Sequence, residues 1–207
     1  MPQRRRFIGL SLLCASAVLA GLGYRVVRGA PAPARRDTVL PDDVCLTAPT
    51  FSHDPASGLP LHAAREVPPE ARCPVCGMFP ARQRRWAAQV IFNNGDVQYL
   101  DSPLSLFLYQ QQVPRYTAGQ SAASIVASYV TDLDTGAWTP AEQAWYVHGS
   151  RQMGPMRSGN LPAFATLDQA RAFAAREGGE WFTAERLRQG LPASLQRLAP
   201  HTHGRPL

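Results

Sequence analysis

The stretch that most constrains the fold is Trp86-Ala87-Ala88-Gln89-Val90-Ile91-Phe92, followed by Asn93-Asn94-Gly95-Asp96 and then Val97-Gln98-Tyr99-Leu100. Two runs rich in β-formers, joined by a short segment holding Asn-Gly, read as an antiparallel hairpin. Directly after it, Asp101-Ser102-Pro103 offers a helix cap with Pro in the first turn, and Leu104, Phe107, Leu108 and Gln111 follow at helical spacing.

The theme returns downstream. Ile125-Val126-Ala127-Ser128-Tyr129-Val130 reads as a strand, Asp134-Thr135-Gly136 as a turn, and Ala144-Trp145-Tyr146-Val147 as the partner strand. Asp168 is expected to cap a helix carrying Ala170, Phe173 and Ala174, which stops at Gly178-Gly179, the residues a left-handed C-cap favours. A short strand around Trp181-Phe182 closes the unit. The expectation is an α+β protein of two small lobes, about 66–118 and 119–190, each a β-hairpin with a helix.

What precedes this domain has a different character. Residues 1–32 begin with Arg4-Arg5-Arg6-Phe7-Ile8-Gly9, which resembles a twin-arginine export signal, and continue through an apolar run from Phe7 to Tyr24. The triplet Ala30-Pro31-Ala32 suits cleavage; uncut, the run would anchor the chain in the membrane. Cys14 follows Leu13 rather than a small residue, so it reads as apolar filler and not as a lipidation site. Residues 33–65 are Pro-rich and read as a tether that contains Cys45 and His53. The tail, 191–207, is expected to start with a short helix and to end as a solvated segment around His201-Thr202-His203.

Charge excludes one partner class. All 21 basic residues are Arg, and seven of them fall in the first 36 positions, where there is no Asp or Glu. From Asp37 onward 14 arginines face 15 acidic residues, so the folded part lacks the positive excess that phosphate binding requires, and nucleic acid is set aside.

The chemistry concentrates in Cys73-Pro74-Val75-Cys76-Gly77-Met78. Two thiols at this spacing can converge on one ion, and Gly77 permits a tight turn beside them. A closed zinc site would need a second Cys/His pair, which the sequence does not offer. A redox dithiol would sit at the start of a helix after a strand, yet Val67-Pro68-Pro69 precedes the pair and Pro80 follows it. Soft-metal binding fits thiolate together with thioether. Beyond the initiator the methionines are Met78, Met153 and Met156, each near Gly or Pro rather than at core spacing. His148, at a strand end, is a further candidate ligand whose ordinary role would be structural.

The hexapeptide resembles the Cys-x-x-Cys-Gly-Met signature of the nitrous oxide reductase accessory (NosL) family. The resemblance extends in order through Trp86-Ala87-Ala88-Gln89, Asp101-Ser102-Pro103, Val130-Thr131-Asp132, Gly136-Ala137-Trp138, Ala144-Trp145-Tyr146-Val147, Gly154-Pro155-Met156 and Ala170 to Gly179. It implies a two-lobed α+β fold similar to the organomercurial-lyase type. It also implies a periplasmic or membrane-tethered protein that binds one Cu(I) and supplies nitrous oxide reductase or its copper-receiving maturation machinery, with no catalytic residue of its own.

By resemblance the ligands are Cys76, Cys73 and Met78 from the first motif and Met156 from Gly-Pro-Met. That Met is usually followed by Gly; here Arg157 follows, and Met153-Gly154 supplies the Met-Gly pair instead, so Met153 and Met156 both stand as candidates. The leader also departs from the usual lipoprotein signal. Two other functions remain open on the residues alone: thiol-disulfide exchange at Cys73 and Cys76, with Cys45 as a resolving thiol, and an envelope protein stiffened by a local disulfide.

Overall fold

The structure, a computed structural model, describes residues 48–157 and 161–197. The leader with Cys14, Cys45 and the His201-Thr202-His203 tail lie outside the described residues. Among the described residues no helix is long and apolar enough to cross a membrane.

The hairpin forms as its sequence requires: β1 (Ala88–Phe92) pairs antiparallel with β2 (Val97–Leu100), in the register Ala88↔Leu100 to Ile91↔Val97. The turn is closed from Gly95 N–H to the Phe92 carbonyl at 2.8 Å. Trp86 does not extend β1; it ends a 3₁₀ segment, Pro80–Trp86, because Pro80 starts a tight turn before the strand begins. Every residue of both strands is buried, so both faces of this hairpin must be covered.

One face meets α1 (Pro103–Gln111), whose Leu104, Phe107 and Leu108 join Val90, Phe92 and Leu100 in the main core. Ser102 caps this helix, its hydroxyl accepting from Ser105 N–H at 3.3 Å. A one-turn helix, α2 (Val113–Tyr116), follows. The other face meets the segment before the hairpin, where Val67 and Ala71 cover Ile91, Val97 and Tyr99.

That segment is held by polar groups as well. Buried Gln89 brackets the Arg65 backbone, accepting its N–H at 2.9 Å and donating to its carbonyl at 3.0 Å, and the Tyr99 hydroxyl donates to the Glu66 carbonyl at 2.9 Å. Phe51 bridges to Val97, and its ring lies 5.5 Å from Tyr99. The chain therefore enters residue 73 already fastened to the sheet.

β3 (Ile125–Thr131) pairs with β1, and β4 (Trp138–Pro140) pairs with β3, giving an antiparallel sheet of order β2-β1-β3-β4. The sequence predicts Ala144-Trp145-Tyr146-Val147 as the partner of 125–130. The turn at 134–136 is so tight that Trp138–Pro140 pairs first, with Thr131↔Trp138. β5 (Trp145–His148) instead centres a second antiparallel sheet between β6 (Ala163–Phe164) and β7 (Glu180–Thr183).

α3 (Leu167–Glu177) packs on this sheet through Ala170 and Phe173, the Phe173 ring lying 4.9 Å from Phe164. Its cap is Thr166, in a reciprocal box with Gln169; Asp168, expected as the cap, lies within the first turn, where its charge still favours the helix dipole. α4 (Ala184–Gln189) and α5 (Ala193–Gln196) follow, placing Leu187 and Leu195 in the main core. Asp132 ties the two sheets together: its Oδ1 accepts from Asp134 and Thr135 N–H at 2.9 and 2.8 Å, and its Oδ2 from Ala165 N–H at 2.7 Å. The α+β class is the one expected from the sequence, while β3, expected in a hairpin lobe of its own, joins β4 in extending the first hairpin into a four-stranded sheet.

Candidate metal centre

The Cys73–Met78 loop closes on itself through two backbone hydrogen bonds of 2.8 Å, Cys73 N–H to the Met78 carbonyl and Gly77 N–H to the Cys73 carbonyl. Gly77 has φ 74°, a left-handed conformation that glycine adopts without penalty. A Cβ there would meet nothing within 4 Å, so the requirement for Gly is conformational rather than steric. Both thiols are free; Cys73 is buried and Cys76 half-buried.

A third group joins them from the end of β2. The Sγ atoms of Cys73 and Cys76 and a carboxylate oxygen of Asp101 all lie within 4.8 Å of one another. Asp101 is 2% exposed. Its Oδ1 accepts from the Ser105 hydroxyl at 2.6 Å, which fixes the side chain at the start of α1. Its Oδ2 is buried with no hydrogen-bond partner. A carboxylate oxygen left so is costly unless a cation or donor meets it.

The electrostatics of the pair follow from this packing. Burial pushes the Cys73 thiol well above its ordinary range, and its hydrogen bond with Cys76 and the charges of Asp101 and Cys76 push the same way, against a smaller lowering by the Asp101 backbone N–H. A redox nucleophile needs the opposite shift. The helical context is also lacking, since Cys73 and Cys76 lie in a turn and the next regular element is the 3₁₀ segment at Pro80.

Asp101 borders a cavity of about 280 Å³ whose wall also includes Met78, Phe79, Arg82 and Pro155. The 73–78 loop and the 154–156 loop thus face one space although about 80 residues apart in sequence. The guanidinium groups of Arg72 and Arg82 lie 4.3 and 4.5 Å from the centroid of Phe79, which makes this rim positive. A larger cavity of about 430 Å³, bordered by Phe107, Ile125 and Leu187, offers no sulfur ligand.

The chain matches the NosL family model over residues 64–191, more than half of its length. It belongs to the NosL family. A NosL relative, the copper-binding lipoprotein NosL of Achromobacter cycloclastes, is 33% identical over 91 residues, which cover 38% of this chain and 47% of that protein. The chain therefore spans about half the length of that relative. The fold is similar to the crystal structure of the copper chaperone NosL from Shewanella denitrificans, with a TM-score of 0.53 at 20% identity, over 63% of this chain and 98% of the other.

Within the NosL match, the structure separates the two methionine candidates. Met156 is half-buried and packs against the core that contains Cys73, as does Cys76. Met153 is 57% exposed. Met78 lines the cavity. His148 is engaged elsewhere, its Nε2 lying 3.0 Å from the Ser194 hydroxyl, and His53 lies 3.0 Å from the Leu59 carbonyl. Neither histidine belongs to the thiol cluster.

Asp101 is the neighbour of the thiols that the sequence alone does not reveal. In the sequence it reads only as part of a helix start, and the approach of its carboxylate to two sulfurs exists only once β2 and the 73–78 loop are side by side.

Proposed function

We propose that this chain is an exported, membrane-associated carrier of Cu(I) rather than an enzyme, delivering the ion to copper-receiving machinery during nitrous oxide reductase assembly. The observation that carries this reading is a pair of free thiols within 4.8 Å of one another, in a loop whose Met78 shares a cavity wall with Pro155, the neighbour of Met156, while Cys76 and Met156 both pack on the core that contains Cys73. Thiolate and thioether are the donors that select Cu(I) over harder ions. On this reading Cys76 and Cys73 hold the ion with Met156 or Met78, and Met153 is the weaker candidate because its side chain faces solvent.

The uneven burial of the thiols suits a carrier. Cys73 is buried and Cys76 half-buried, so an incoming donor from a partner meets Cys76 first, and the ion passes by stepwise exchange while Cys73 still holds it. The copper-binding relative and the family membership support the cargo; the client enzyme rests on family resemblance. Thiol-disulfide exchange fits less well, because burial raises the Cys73 thiol where a redox pair needs it lowered.

The test is a competition titration of the reduced protein against a chromophoric Cu(I) chelator. One Cu(I) per chain is expected, with Cys76→Ser losing it. Undiminished binding in a Cys73→Ser, Cys76→Ser double variant would refute the assignment. Nitrous oxide reductase isolated from cells lacking this protein should carry less copper than from cells that have it; equal loading would remove the client.

A further inference from the structure

Cu(I) leaves one member of the cluster without a purpose. Two thiolates around a monovalent ion already carry a net charge of −1, and a carboxylate beside them makes −2 in a buried site. Such accumulation is unfavourable. Carboxylate is also a poor donor for Cu(I), which prefers sulfur. Yet Asp101 is held in place: Ser105 donates to Oδ1 at 2.6 Å, Oδ2 is buried with no hydrogen-bond partner, and a carboxylate oxygen lies within 4.8 Å of both sulfurs. A ligand oxygen oriented by an outer hydrogen bond is the arrangement metal sites use.

The charge sum comes right for a divalent ion. Two thiolates, one carboxylate and a doubly charged cation return the site to −1, and Arg82, in the wall of the same cavity as Asp101, offsets part of that. Two sulfurs and one oxygen are an accepted donor set for zinc-class ions, and three protein ligands with a fourth position left open is their exchangeable form. Distances agree with modest closure. Tetrahedral coordination at metal–sulfur lengths of about 2.3 Å sets ligand atoms about 3.8 Å apart, against an upper limit of 4.8 Å here. Cys76, half-buried where Cys73 is buried, is the thiol that would close the difference. The sequence holds no second Cys/His pair for zinc; the fold supplies a third ligand as a carboxylate.

We propose that Cys73, Cys76 and Asp101 form a second binding mode of this pocket, for a thiophilic divalent cation of the zinc class, with Asp101 as the ligand that distinguishes it from Cu(I). The inference rests on the proposed thiol site for two of its three donors. Binding M²⁺ displaces the protons of both thiols to solvent, so two protons leave for each ion bound and no redox step occurs.

The probe is Co²⁺, added to the reduced 207-residue chain without oxygen and followed by thiolate-to-cobalt charge-transfer absorption, with Zn²⁺ then added to displace it. Wild type is expected to show the absorption and lose it to zinc. Asp101→Asn keeps an oxygen for Ser105 but removes the carboxylate. It should weaken Co²⁺ by more than the about 10–100-fold that loss of an outer partner costs, while its Cu(I) affinity stays within about threefold of wild type because sulfur sets that affinity. Absence of the cobalt band in wild type overturns the inference, as does an Asn variant that binds Co²⁺ normally or that loses both ions alike. If Asp101→Asn does not fold, Ser105→Ala decides: it should weaken Co²⁺ about 10–100-fold and spare Cu(I), and an unshifted cobalt affinity overturns the proposal. Cobalt binding that depends on Asp101 in a protein that takes no Cu(I) would sink the cargo reading alone; Cu(I) binding without cobalt binding would sink this one alone.

Discussion

Substituting Gly77 by Ala tests the link between the backbone of the thiol loop and its affinity. Residue 77 sits at φ 74° with no atom within 4 Å of where a Cβ would be, so the new methyl clashes with nothing. The whole cost is that of a left-handed L-residue, about 1–2 kcal/mol. Where it appears depends on the metal-free loop. If the loop relaxes by breaking the 2.8 Å bonds between Cys73 and its partners at 77 and 78, it must be re-formed on binding, and Cu(I) affinity falls about 5–30-fold, the equivalent of that energy. If the loop stays closed, the same energy is lost from unfolding stability instead. Chelator competition and urea denaturation, run on the same samples, should give costs that together reach about 1–2 kcal/mol. Gly77→Asn, a residue that tolerates this conformation, should recover most of the loss. A summed cost below about 0.5 kcal/mol, where ordinary surface changes fall, or an Asn variant no better than Ala, would refute the reasoning.

Other expectations follow from single groups. Asp132→Ala removes the acceptor of three backbone N–H groups and should cost about 1–3 kcal/mol in urea denaturation, the range for hydrogen bonds to a charged group, since the donors belong to the exposed residues Asp134, Thr135 and Ala165 and water takes up part of the loss. Burial alone would raise the Asp132 carboxyl, but the N–H groups of Thr135 and Ala165 and their neighbours outweigh it and hold the carboxyl below its usual value. Its stabilising share is therefore complete above the unfolded carboxyl pKa of about 3.9 and lost as pH falls through the lower folded value; Asp132→Asn should flatten that part of the stability–pH curve. Cys73, raised by burial, should alkylate more slowly than Cys76 at neutral pH and catch up as pH rises or on unfolding, which peptide mapping after timed iodoacetamide treatment can resolve; equal rates would contradict its burial. Gly179→Ala should be worse than Gly77→Ala, because a Cβ there would lie 2.6 Å from the His148 carbonyl oxygen and 2.9 Å from Ser150 N, at φ 101°; a loss of more than about 3 kcal/mol in urea denaturation is expected from enforced overlap plus strain.

Much of the first sheet is legible in the sequence because its signals are local. The Asn-Gly turn, the β-forming runs on either side and the Ser-Pro helix start each act within a few residues, and β2 and α1 form where those signals lie. Errors come where partners compete. Ala144 to Val147 has the composition of a strand for 125–130, but Trp138–Pro140 lies nearer in the chain and pairs first, leaving β5 for the second sheet. Thr166 displaces Asp168 as the helix cap because it completes a box with Gln169 three residues on.

The site divides in the same manner. Cys73, Cys76 and Met78 can be read from one hexapeptide. The preference for Met156 over Met153 depends on which side chain turns inward, and periodicity says nothing about that in a loop. Asp101 depends on a long-range approach between the end of β2 and the thiol loop, itself secured by Gln89 bracketing Arg65, and no local pattern encodes it.

Whether sulfur from Cys73 and Cys76 holds Cu(I) can be read by X-ray absorption at the copper edge of the reduced, singly loaded protein. A monovalent edge and a low-coordinate shell made of sulfur are expected, with sulfur scatterers lost in Cys76→Ser. A shell made of nitrogen and oxygen, or a sulfur shell unchanged in that variant, would contradict coordination by these thiols.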